Sequence, residues 1–194
     1  MFGWPIPILI IQILAIDLLA EILPLTALTF DPGSRDIMTS SPRRQNEHIL
    51  NKYTILEIVF LGCLMGALAF ANFGLFMQRM GVELTMSHDL YQRATTLSYA
   101  TIVFCQFINI LSRRYNYDSF FNSNFWSNSK LLWSVVISIG FTLVAIYTPF
   151  INKFLAFAPL TIADWIYVLI AAVLFLFAHE TIKAFKRSGR RVTA

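Results

Sequence analysis

The chain has 194 residues, 57% of them hydrophobic, 15% aromatic and only 13% charged, with a mean hydropathy of +0.62. That balance excludes an ordinary soluble domain. The net charge of +4 follows from the loop charges described below, so it calls for no nucleic-acid partner.

The first apolar run, residues 8–30, reads ILIIQILAIDLLAEILPLTALTF and is long enough to cross a bilayer as a helix. Asp17 and Glu21 stand near its middle, four residues apart, so both project from one helical face. An ionised carboxylate there costs on the order of 2.5–3.5 kcal/mol on insertion scales, and such acids usually line ion paths. Pro24 follows. It has no N–H, so in an α-helical register the carbonyl of Ala20 loses its partner and becomes an oxygen ligand beside the acids. Two carboxylates and a freed carbonyl suit a hard cation, which makes Asp17, Glu21 and the Ala20 carbonyl the cation-binding or metal-ligating candidates. The competing reading is a polar cluster that only holds helices together.

Further apolar runs follow at about 54–76, 94–112, 131–149 and 162–182. Together they predict an all-α polytopic membrane protein, one domain over 1–194 built as a bundle of about five spans, with a polar loop at 31–53. In the second run Asn72 is expected to bond another helix, while Glu57 lies close enough to the interface for water to reach it. Thr95 and Thr96 are expected to bond their own helix backbone. Gln106 and Asn109, three residues apart, share a face, and interhelical hydrogen bonding accounts for each slightly better than a role as a further oxygen donor. Glu180 and Lys183 can pair across one turn of the last run.

Charge placement orients this bundle. Of the 15 Lys and Arg residues, twelve fall on one side: Arg35, Arg43, Arg44 and Lys52; Arg113, Arg114 and Lys130; and Lys183, Lys186, Arg187, Arg190 and Arg191. Arg79, Arg93 and Lys153 fall on the other. The positive-inside bias then predicts an N-terminus outside and a C-terminus in the cytoplasm, with membrane lipid as the general partner. The opening MFGWPIP lacks the basic start of a removable signal peptide. Cys63 and Cys105 fall inside different apolar runs and read as packing residues. His48, His88 and His179 are scattered and read as surface or interfacial. Phe120, Phe121, Phe125 and Trp126 in the third loop are expected in the headgroup belt. The loop 31–53 reads from its residues as a solvated linker, and as a docking surface for a partner only by the family resemblance below.

The ordered series of motifs resembles the C-terminal membrane region of P-type cation-transporting ATPases, from the sixth transmembrane helix to the tenth. The matching positions are Asp17, Ala20 and Glu21, then Leu23-Pro24, Asp31-Pro32, Asp36 and Met38, and Pro42-Arg43. Thr95 to Arg114 is similar to the eighth helix of that family, and Asn128 to Leu132 to the start of its ninth. Tyr147-Thr-Pro149-Phe150, Pro159-Leu160, Asp164-Trp165 and the Glu180–Lys183 spacing are similar to the boundaries of the tenth.

The resemblance implies a cation-transport module without its engine. The sequence contains no Asp-Lys-Thr-Gly phosphorylation motif, no Thr-Gly-Glu motif and no room for a nucleotide-binding domain. The chain is therefore expected not to be an enzyme or a pump alone, and no catalytic residue is assigned. Separately encoded catalytic and N-terminal helical parts would have to complete it. In the family an Asp in the position of Asp17 goes with sodium, potassium or proton transport, and an Asn there with calcium. Ala20 lacks the usual threonine hydroxyl, and Glu21 replaces an aspartate with a longer arm. A monovalent cation or proton is thus expected ahead of calcium, in the plasma membrane, with no tightly bound cofactor. Because a carboxyl in low dielectric favours its neutral form, and two so close titrate together, a proton-carrying role is consistent with the pair. Two alternatives stand beside this one: a regulatory or accessory membrane protein that binds a partner pump, and a truncated fragment without an independent role.

Overall fold

The computed structural model describes residues 6–31, 51–81, 88–114 and 126–192, with side chains to 188. Most of the loop 31–53, with His48, and Phe120, Phe121 and Phe125 lie outside the described residues.

Among the described residues five helices are long and apolar enough to span a membrane. They are α1 (Ile10–Leu28), α2 (Lys52–Arg79), α3 (His88–Ser112), α4 (Ser129–Tyr147) and α6, whose span is Ile162–Ser188 within a helix running Ile162–Val192. A short helix, α5 (Pro149–Leu155), lies between α4 and α6. The predicted all-α bundle is present. The third span starts six residues before the expected 94, because its polar first turns continue the helix beyond the apolar stretch.

Local signals set several helix ends. Asn51 Oδ1 accepts the Thr54 N–H at 2.8 Å and caps α2, and Asn128 Oδ1 accepts the Leu131 N–H at 3.0 Å and caps α4. Gly81, at φ 61°, takes the left-handed position that ends α2. Pro149 stands in the first turn of α5, where its missing N–H costs nothing. Ala156 closes α5 in the left-handed region, at φ 53°.

The centre of the bundle is α3: 67% of its spanning window is buried, against 11% for α2. It packs against α2 and α6 on one side and against α1 and α4 on the other. The main core joins Phe73, Phe76, Tyr99, Val103, Phe107 and Val168. Asn72 bonds across helices as expected, donating to Thr101 Oγ1 at 2.8 Å and to the Tyr167 carbonyl at 3.3 Å. Thr95 and Thr96 both donate to the Gln92 carbonyl, at 3.0 and 2.7 Å.

The ends of the bundle are chemically distinct. At one, called here the basic end, Arg114 and Asn128 hold Asp31, and Lys186 pairs with Glu57 at 2.6 Å. At the other, the hairpin end, the turn through α5 meets the starts of α1, α3 and α6.

Candidate cation site

The site is built on a break in α1. The helix runs as α from Ile10 to Ala15, widens into a π turn over Ile16–Glu21, and resumes as α from Ile22 to Leu28. The Ile22 N–H donates to the Asp17 carbonyl, five residues back. Pro24 stands two residues further on, without a donor and with a ring that presses on the preceding turn. With Pro24 supplying no N–H, the carbonyls of this turn outnumber the donors that can reach them. At least one oxygen is left over. In an α register it is that of Ala20, in a π register that of Leu19. π turns of this kind recur at functional positions.

The acids belong to this turn. Asp17 is exposed, Glu21 is half-buried, and Ala20 is fully buried against α3 and α4. Among the described residues neither carboxylate accepts a hydrogen bond or pairs with a cation. Ile10, Ile13, Leu14, Leu18 and Ile22 are exposed on the same helix. Within this chain, then, α1 keeps a side that is apolar except for two acids. In a bilayer such a side calls for a covering partner, because an unpaired acid against lipid is costly.

Gln106 and Asn109 share a face of α3, as expected. Asn109 Nδ2 donates to Gln106 Oε1 at 3.3 Å, and Asn109 Oδ1 accepts from Arg113 Nε at 3.0 Å. This ladder is internal to α3. Among the described residues no hydrogen bond joins it to Asp17 or Glu21.

Sequence reasoning missed two polar centres. The first is Gln12, fully buried five residues before Asp17. Its Nε2 donates to Thr95 Oγ1 and to the Ala156 carbonyl, both at 3.1 Å, and its Oε1 accepts the Leu9 N–H at 3.1 Å. The second is Asp164, also fully buried. It accepts from Arg79 Nη2 at 2.6 Å, from Arg93 Nε and Nη2 at 2.9 and 2.6 Å, and from the Thr161 N–H and Oγ1 at 2.9 and 2.8 Å. The signals were a Gln inside an apolar run, and a Thr-x-x-Asp helix start level with two isolated arginines. His179, expected at the surface or the interface, is 2% exposed and stacks edge-on to Phe175. Burial on the inner face of α6 decides its place. His88 is exposed at the start of α3, and Cys63 is exposed while Cys105 is buried. No group of three or more metal-ligating His, Cys, Asp or Glu side chains occurs among the described residues.

Five helices long and apolar enough to cross a bilayer define an integral membrane protein. The chain matches the family "Cation transporting ATPase, C-terminus" over residues 5–185 and belongs to it. It is similar to the endoplasmic reticulum calcium ATPase srcA of Aspergillus fumigatus, 22% identical over 95% of this chain and 21% of that protein. Calcium-transporting ATPase 1 of Bacillus cereus is 25% identical over 97% of this chain and 22% of its own length. A calcium-transporting ATPase of Bacillus subtilis is 30% identical over 85% of this chain and 18% of its own. The chain thus spans about a fifth of the length of these relatives.

Proposed function

We propose that this membrane module supplies an intramembrane cation site to a P-type cation pump and is not a pump alone. The observation that carries the reading is the pair Asp17 and Glu21, set in a π turn with a carbonyl to spare and unpaired among the described residues. Ionised, the two carboxylates would take a cation by direct coordination; neutral, they would carry protons. Ca²⁺ takes six to eight oxygens, so this pair needs further ligands. Gln106 and Asn109 are donors within the chain, after release of the bond between them. The rest would come from separately encoded catalytic and N-terminal helical parts seated against the uncovered side of α1. The chain itself contributes no phosphorylation chemistry, since its sequence has no Asp-Lys-Thr-Gly motif.

For the ion we propose a proton or monovalent cation, because Asp17 stands where the family's calcium pattern has Asn. Calcium is the second reading, favoured by the names of the relatives above. For location we propose the cell membrane. One relative is named for the endoplasmic reticulum, so fractionation against markers of both membranes decides. Orientation with the N-terminus outside rests on the Lys and Arg distribution.

The test is uptake of sodium, calcium and protons by vesicles from source membranes carrying Asp17→Asn with Glu21→Gln. Loss of uptake of one ion supports the site and names its cargo. Unchanged uptake of all three sinks the reading. The accessory-protein reading is favoured by the uncovered side of α1, and it predicts capture of the same membrane partner by the double variant with transport intact.

A further inference from the structure

A π turn inside an α-helix holds one residue more than the regular turn, and the helix regains its regular ladder if one end rotates by about 100° and slides by about 1.5 Å. Pro24 gives the ladder of α1 a reason to open but does not fix either end. The ends are fixed by side chains. At the basic end Asp31 is gripped by Arg114 Nη2 at 2.8 Å and by Asn128 Nδ2 at 3.0 Å, and Arg114 is almost fully buried. At the hairpin end the grip is Gln12. Its carboxamide spends both N–H groups on other elements, Thr95 of α3 and the Ala156 carbonyl beyond α5, and its oxygen on the Leu9 N–H.

We infer that Gln12 is a positioning residue for the Asp17–Glu21 pair: by pinning the first turns of α1 to α3 and to the α5 turn, it holds the π turn open and sets the direction in which both carboxylates point. This rests on the cation-site reading for its purpose, but the geometry can be tested apart from it. The physical case is one of satisfaction. A primary amide without partners is costly in a buried apolar setting, so Gln12 has one rotational setting of α1 in which all three bonds form. Releasing those bonds removes the resistance to rotation at that end. The regular α ladder can then re-form by a shift of one residue.

The experiment uses the full chain in lipid nanodiscs, with single spin labels at each position from 13 to 19 and oxygen collision rates as readout. In the parent protein the maxima fall at exposed Ile13, Leu14, Asp17 and Leu18, and the minima at buried Ala15 and Ile16. Gln12→Leu keeps the bulk and removes the bonds. The expected result is a collision profile displaced by one residue, the equivalent of about 100° of rotation. Modification by a hydrophobic carbodiimide, read residue by residue by mass spectrometry, should also lose the parent's preference between Asp17 and Glu21. A folded Gln12→Leu chain with an unmoved profile overturns the inference. A displaced profile with an unchanged preference also overturns it, since Gln12 would then hold the helix without setting the acids. If Gln12→Leu fails to fold, Thr95→Val removes one of the three partners and is read the same way. If cations fail to protect the parent's carboxylates from the reagent, the cation-site reading falls, while the collision profile still decides the role of Gln12.

Discussion

Asp164 in α6 and the Asp17–Glu21 pair in α1 both stand in apolar spans, yet they meet the cost of an acid in opposite ways. Asp164 is fully buried and collects five hydrogen bonds, four of them from side chains on α2, α3 and Thr161 and one from backbone. Arg79 and Arg93 bring this charge its counter-charges, and both lie over the Phe76 ring, at 5.7 and 5.6 Å. Every donor comes from the chain itself, so the centre is complete and ties three helices together. The pair on α1 has no donor among the described residues. The same functional group is thus a clasp at the hairpin end and is left without a partner from the described residues at mid-helix. An intramembrane acid is a site candidate when its partners are missing, and a fastener when they are supplied.

The comparison breaks most readily at Asp164. Asp164→Ala leaves two guanidinium groups without their carboxylate, and loss of one member of a buried pair costs about 3–5 kcal/mol. A large fall in the unfolding midpoint of the detergent-solubilised chain is expected, and a midpoint within error of the parent would remove the clasp from the account. Asp31→Asn at the basic end should cost about 1.5–3 kcal/mol, the usual worth of a hydrogen bond to a charged group, on the same assay. Glu57→Gln should cost at most about 1 kcal/mol, because Lys186 is 36% exposed and its pairing is screened. That loss should shrink further as salt is raised. The sharpest contrast is the double variant Asp17→Asn with Glu21→Gln. It removes two carboxyl groups that accept no hydrogen bond among the described residues, so its unfolding midpoint should stay level or rise, while any effect of added cations on that midpoint disappears.

Much of the fold was legible because bilayer thickness fixes span length, and runs of about 20 apolar residues stand out. The helix ends were less so: polar first turns such as His88–Arg93 carry no hydropathy signal, yet they continue the helix. The candidate acids were legible as charges out of place. What surrounds them was not. Pro24 announced a disturbed turn, but the register of the turn depends on what holds the two ends of α1. That is decided by Gln12 and Asp31 contacting residues more than 80 positions away. Asp164 was visible only as a helix boundary, because Arg79 and Arg93 reach it from separate helices. His179 was read as surface or interfacial because it stands near the end of an apolar run, while its own position faces inward.

The measurement that tests the central claim most directly is carbodiimide modification of Asp17 and Glu21 in native source membranes, with and without sodium, potassium or calcium. The account predicts that at least one of these ions protects one or both carboxylates, and that a pH-matched control with a large impermeant cation does not. Modification that proceeds at one rate whatever the ion would contradict a cation site at the π turn of α1.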